Sequence, residues 1–267
     1  MRRLREALDD DAFLLRFQPI AEVATGEIAH HEVLLRMRTE NGQLIGPDFF
    51  LPAAVRFGLM AEIDAWMIRN VIKRLATLHQ DDTSIRLAIN LSANAFETEN
   101  LASYVDKQLR EHSVPAECVL FEITENLAVR HLSHVEKQIA ALRECGCQVA
   151  LDDFGKGYSS LTYLQQLSVD FIKIDGSFVR NLAKSPVDQK MVRLIGEIGR
   201  ESGMKTIAEF VQNAATFSML SELSVDYAQG NYVGKPRALP SRKPVPVPLA
   251  GKRRKKRASR PRSARAG

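Results

Sequence analysis

The chain has 267 residues, of which 45% are hydrophobic and 26% charged, with 15 glycines and 11 prolines. Those proportions exclude a wholly disordered, collagen-like or disulfide-stapled polypeptide, and the length suits one large α/β domain or two small ones. The formal charge of +5 hides an asymmetry: residues 240–267 hold 11 Lys and Arg and no Asp or Glu, so removing them from 37 basic and 32 acidic residues leaves 26 and 32, a net −6, in residues 1–239.

In chain order, strands are predicted at 15–20, 28–37, 85–91, 118–123, 148–152, 170–174, 205–208 and 226–229, where β-rich apolar runs are short. Helical periodicity fills 48–58, 62–79, 101–112, 131–145, 159–166, 187–202 and 213–222. From residue 85 onward each strand except the last is followed by a helix, the pattern of parallel strands covered by helices. Eight such strands before residue 240 fit the α/β class as a modified (β/α)₈, or TIM, barrel. Thr25-Gly26 reads as a hairpin turn between the first two runs, which makes the first strand antiparallel.

The expected organisation is a barrel over 1–239 and a disordered Pro- and Lys/Arg-rich tail over 240–267. Two readings of the tail stay open: an electrostatic contact with a polyanion, or a solvated segment with no dedicated target. No structured nucleic-acid-binding domain is expected. No apolar run approaches the ~18 residues of a membrane span, and no apolar leader opens the chain, so the cytoplasm is the expected compartment. Cys118, Cys145 and Cys147 form no C-x-x-C pair and read as buried reduced thiols.

The chemistry is concentrated at strand ends. Glu32 belongs to the second strand, Asn90 ends Leu87-Ala88-Ile89, Glu122 closes Val119-Leu120-Phe121, and Asp152-Asp153 close Val149-Ala150-Leu151. Lys173 lies in Phe171-Ile172-Lys173-Ile174 with Asp175 next, Glu209 follows Thr206-Ile207-Ala208, and Gln229 follows Tyr227-Ala228. A barrel places its reactive groups at the C-terminal ends of its strands, and a charge in a buried strand is costly unless paired or bound to metal. Any one of these residues alone could be structural; so many at the same end call for cations. Oxygen ligands without Cys or His point to Mg²⁺ or Mn²⁺, and adjacent aspartates suit a bridge between two ions, a device used for phosphodiester cleavage.

Other motifs are weaker. His31-Glu32 is followed by Leu35 where a zinc helix needs a second His. Gly155-Lys156-Gly157 lacks the third glycine of a dinucleotide loop. His131 and His134 have no third ligand.

Together, Phe17-Gln18-Pro19-Ile20, Glu32-Val33-Leu34-Leu35-Arg36, Asn90-Leu91-Ser92, Phe121-Glu122-Ile123-Thr124-Glu125, Asp152-Asp153-Phe154-Gly155, Lys173-Ile174-Asp175 and Gln229-Gly230 resemble an EAL domain, the bacterial cyclic di-GMP phosphodiesterase domain. The resemblance implies hydrolysis of cyclic di-GMP to linear pGpG by two Mg²⁺ or Mn²⁺ ions. It implies Glu32, Asn90, Glu122 and Asp152 as ligands of one ion, with Asp152 and Asp153 serving the second. Asp153, Lys173 and Glu209 would be catalytic. Gln18, Leu34, Arg36, Asp175, Phe210 and Gln229 would contact substrate, Arg36 through a phosphate. Glu125 would anchor the loop near 154–163, which with an adjacent helix would form a homodimer interface. Leu4-Arg5-Glu6-Ala7-Leu8 resembles a helix arriving from an upstream sensory or GGDEF module, so that a longer parent, which such segments could anchor to a membrane, is expected.

The chain departs from the family pattern at Val33, Lys156, Phe210 and Gln212. Phe210 reads equally as a stacking surface for guanine or as a rim hydrophobe. A catalytically silent cyclic di-GMP receptor is the alternative function, set against the enzyme by the presence of every ligand position. An unrelated barrel enzyme for a phosphorylated metabolite remains a third.

Overall fold

The computed structural model describes residues 2–9, 12–97, 100–156, 163–164, 166–240 and 243–246. Eight strands close into a barrel: β1 (Phe13–Glu22), β2 (Ile28–Arg38), β4 (Leu87–Asn90), β5 (Val119–Thr124), β6 (Gln148–Phe154), β7 (Phe171–Ile174), β8 (Lys205–Ala208) and β9 (Tyr227–Gln229). β1 runs antiparallel to both of its neighbours, β2 and β9, and the remaining pairings around the ring are parallel. A two-residue β3 (Leu44–Ile45), absent from the sequence expectations, extends β2 outside the ring.

Alternation along each strand divides its side chains between two cores. Outward residues such as Phe17, Val33, Ile89, Phe121, Leu151 and Ile172 pack beneath the surrounding helices. Inward, Ile20, Ala88, Leu120, Ala150, Phe171 and Ile207 form a small separate apolar layer that fills the barrel axis. The next inward position on each strand, one step toward the C-terminal ends of β2 to β9, is polar.

The outer layer follows its sequence signals. On α3 (Met60–His79), Ile63, Met67 and Val71 recur every four residues and are buried, as are Ile68, Ile72 and Leu75. α5 (Leu101–His112) ends where Ser113 takes the left-handed conformation, at φ 55°. α7 (Leu132–Glu144) follows β5, and α9 (Pro186–Glu201) starts at the Ser185 cap, whose hydroxyl oxygen accepts from the Asp188 N–H. α10 (Ala214–Glu222) is capped in the same way by Asn213. α1 (Arg2–Asp9) packs through Leu4 and Ala7, and α2 (Pro47–Arg56) through Phe50 and Ala54. Three short helices were not expected: α4 (Ala93–Glu97), α6 (Glu125–Arg130) and α8 (Gly176–Val179) are too short to show a helical period. Most of the helix expected at 159–166 lies outside the described residues. No helix among the described residues is long and apolar enough to cross a membrane.

β1 and β2 are joined by a hairpin, so no helix follows β1 in the usual barrel manner, and the outward Phe13 is covered by Phe50 of α2 and Trp66 of α3. Further cover comes from the chain after β9. Arg237 and Phe17 exchange backbone hydrogen bonds of 3.0 and 2.8 Å; further on, the Val245 N–H donates to Gly26 at 2.8 Å and its side chain is buried. The described residues 243–246 therefore lie against the hairpin end of the barrel, and the rest of 241–267 lies outside the described residues.

Asp64 on α3 is buried, and its carboxylate accepts from the Ser92 N–H at 3.2 Å and the Ser92 hydroxyl at 2.5 Å, tying the helix to the loop after β4. Burial raises its pKa from 3.8 to about 6, against the opposing effect of the Ser92 hydrogen bonds. With the folded value above the unfolded one, its contribution is present below pH 3.8 and is lost as pH rises through about 6. Urea unfolding of wild type and Asp64→Asn between pH 4 and pH 7 should show the difference shifting toward the variant by about 2–3 kcal/mol as pH rises.

Candidate active site

The inward polar positions converge on Lys173, which projects from β7 into the barrel and is fully buried. Its Nζ lies 2.8 Å from Glu122 of β5, 3.0 Å from Glu209 just after β8, 3.3 Å from Asp152 of β6 and 3.6 Å from Glu32 of β2. Residues from five strands thus share one ammonium. Glu32 is further held by Asn90, whose amide donates at 2.7 Å, and by the amide of Gln229. Gln229 also approaches Gln18 of β1, at 3.4 Å.

One lysine cannot balance four carboxylates. Burial alone would lower the Lys173 pKa, but Asp152, Glu122, Glu209 and Glu32 outweigh it and hold the ammonium well above its ordinary value. Burial would raise Glu32, yet Lys173 and the Gln229 and Asn90 amides bring it below the ordinary carboxylate value. Glu122, equally buried but without those amides, stays well above it. Glu209 rises to about 7, chiefly through burial, with Lys173 opposing and Asp152 and Glu32 adding to the rise. The cluster accordingly takes up either protons or further cations. Glu122 Oε1 is buried with no hydrogen-bond donor, an acceptor free for such a cation. With its oxygen-only donors, the cluster fits a hard divalent ion.

Asp153 does not face Lys173. It sits in the left-handed region at φ 56°, its N–H donating to Asp152 at 2.8 Å, and its carboxylate lies beside Asp175 and Glu209 instead. There one oxygen each from Asp153, Asp175 and Glu209 lie within 4.8 Å of one another. Burial raises the Asp153 pKa and neighbouring Asp152 adds to the rise; Asp175, held by hydrogen bonds from Ser177, falls below its usual value despite burial. Asp175, which the family resemblance implied as a substrate contact, lies beside Asp153.

A cavity of about 350 Å³ opens beside this cluster, lined by Gln18, Glu32, Leu34, Arg36, Glu209, Phe210, Gln212, Gln229, Gly230, Asn231 and Pro236. Every residue assigned to substrate except Asp175 lines it. Phe210 is 43% exposed and adopts φ 53°, a conformation that strains a bulky residue by about 1–3 kcal/mol. Its ring rests on Gly176, where a Cβ would come within 2.2 Å, and the Arg180 guanidinium lies 4.2 Å from its centroid. Gly230, at φ 152°, lets Val211 approach its backbone, and Val211 accepts from and donates to the chain beside it. Gln212 accepts from the Asn231 amide at 3.0 Å. Sequence reasoning missed Arg180 and Asn231, which carry no motif. Away from the cavity, Glu125 accepts from the Gly155 N–H at 2.9 Å and the Tyr163 hydroxyl at 2.5 Å. The loop near 154–163 that it was expected to anchor lies mostly outside the described residues.

Residues 1–236 match the EAL domain family. The chain belongs to that family. Among its relatives, the cyclic di-GMP phosphodiesterase PdeF of Escherichia coli is 38% identical over 239 residues, covering 90% of this chain and 32% of PdeF. The cyclic di-GMP phosphodiesterase PdeB of Shewanella oneidensis is 38% identical over 240 residues, covering 90% of this chain and 28% of PdeB. The EAL domain described here thus spans about a third of the length of these relatives. A PaMucR phosphodiesterase solved as a c-di-GMP complex superposes with a TM-score of 0.83 at 32% identity, over 88% of this chain and 96% of the other. The FimX EAL domain from Pseudomonas aeruginosa, bound to c-di-GMP, gives 0.84 at 30% identity over 91% and 98%.

Removing the shared ammonium of this EAL domain leaves four acids facing one another. In EDTA, Lys173→Met is expected to lose about 3–5 kcal/mol of stability at pH 8. The loss should shrink at pH 5, where the carboxyls regain neutrality by binding protons, as urea unfolding at the two pH values would report.

Proposed function

We propose that this EAL domain hydrolyses cyclic di-GMP to linear pGpG with two divalent cations, Mg²⁺ or Mn²⁺. The single observation that carries the reading is the excess of carboxylates around Lys173, opening onto a cavity with an arginine in its wall. The cyclic di-GMP phosphodiesterases among the relatives, and the c-di-GMP-bound structures, support it. Glu32, Asn90, Glu122 and Asp152 would hold one ion; Asp152 and Asp153 would hold the other, with Asp175 and Glu209 close to Asp153. When bound, such ions supply positive charge to phosphate oxygens and acidify water.

The residues of the chain do the rest. Lys173, fixed by its four partners, holds a permanent positive charge behind Glu32 and Glu209 of the cavity wall, to offset the charge that builds on the phosphate in the transition state. Glu209, lining the cavity with Oε1 3.0 Å from Lys173, is placed to take a proton from the attacking water. Arg36 offers a planar fork to phosphate oxygens, Gln18 and Gln229 offer amides, and Leu34 an apolar contact. The exposed Phe210 ring offers a face to guanine. The whole assembly is assigned to the cytoplasm, as a homodimer built through the loop near 154–163 and the adjacent helix, in a longer protein with sensory or GGDEF modules.

The test is hydrolysis of cyclic di-GMP, read as pGpG by chromatography, for wild type and Glu32→Ala with and without Mg²⁺. Wild type is expected to turn over only with the metal, and Glu32→Ala to lose at least about a hundredfold, an electrostatic group at the reacting centre having that scale of effect. Binding by wild type without cleavage would instead mark a receptor. Phe210→Ala is expected to weaken cyclic di-GMP binding by about 1–3 kcal/mol in calorimetry; unchanged affinity would leave Phe210 as a rim hydrophobe.

A further inference from the structure

Beyond the barrel rim, β1 and β2 continue as a two-stranded ribbon. They pair from Phe13–Met37 down to Ala21–Ile28, whereas β9 meets β1 only at Ile20–Glu22 and β4 meets β2 only at His31–Val33. The inner face of this ribbon is the cavity wall. On β2 it shows Glu32, Leu34 and Arg36; on β1, with uninterrupted register, it shows Ile20 in the axial layer, Gln18 in the cavity and Arg16 one step above.

Arg16 lies opposite Leu34, and Arg36 is the next residue on the same face, so the two arginines are diagonal neighbours. Neither forms an ion pair among the described residues, and the Arg36 guanidinium donates only to the adjoining Leu35 carbonyl, at 2.8 Å. Burial and the charge of Arg16 both lower the Arg36 pKa; Asp48 and Glu32 oppose them from beyond contact distance. Two half-buried arginines at diagonal positions on one face, neither in an ion pair among the described residues, repel unless an anion joins them.

The proposed substrate carries two phosphodiesters, and only one is cleaved at a time. The acidic floor around Lys173 takes the one that reacts. We propose that Arg16 and Arg36 together hold the other, making Arg16 a binding residue that favours a cyclic dinucleotide with two phosphates over a mononucleotide. This rests on the function proposed above. Arg16 stands outside every motif that carries the family resemblance, so its role comes from strand register alone.

Calorimetry in EDTA with the whole chain tests it, using cyclic di-GMP and GMP as probes, with KM and kcat measured in Mg²⁺. Arg16→Gln is expected to raise the Kd and KM for cyclic di-GMP about tenfold, as for loss of a charge-assisted hydrogen bond, with GMP affinity and kcat unchanged. Arg16→Lys, which keeps the charge and loses the fork, should fall between the two, and an unchanged Tm for both variants shows that they fold. Equal cyclic di-GMP affinity for wild type and Arg16→Gln overturns the assignment, as does an equal loss toward GMP. A wild type that binds no cyclic di-GMP at all overturns the functional reading first, and this assignment with it.

Discussion

The structure depends on one buried ammonium. Lys173 has no water to solvate it, and its charge is tolerable only because Glu32, Glu122, Asp152 and Glu209 surround it. The acids depend on Lys173 in turn, Glu122 most of all, since it is fully buried and has none of the amide donors that also hold Glu32. The mutual dependence fixes five strands in register: a shift of one residue in any of them would turn its charged group outward, under the helices. The same imbalance, four anions to one cation, is what gives the cluster an appetite for further positive charge. Stability and chemistry therefore draw on the same contacts.

Much of this was legible in the sequence because barrel strands alternate strictly. A polar residue that closes a short run of mostly apolar residues marks a strand end, and Asn90, Glu122, Asp152, Lys173, Glu209 and Gln229 all read that way. The long helices were legible for the analogous reason, a sustained period of 3.6. What stayed hidden was short or local. α4, α6 and α8 span six residues or fewer, and β3 only two, so neither period had room to appear. The left-handed turn at Asp153, which sends adjacent aspartates to different partners, has no composition signal, since aspartate is common in both conformations. Phe210 is harder still: a bulky residue at positive φ runs against local preference and is held by Gly176 and Arg180, distant in sequence from it.

The tail shows the limit of reading composition. Proline and basic residues with no acids in 240–267 argue against a core there. Yet Val245 is buried and bonded to the Gly26 carbonyl. The cause lies elsewhere in the chain. The turn of the β1–β2 hairpin presents the Gly26 carbonyl, and Val245 donates to it.

The apolar layer of Ile20, Ala88, Leu120, Ala150, Phe171 and Ile207 has a kinetic consequence. It stoppers the barrel axis, so among the described residues the polar chamber has no passage through the far end of the barrel. A molecule that enters at the C-terminal ends of the strands leaves on that same side. A departing molecule and an arriving one then queue for the same threshold, and clearance of the chamber becomes part of the pace at which it can be refilled.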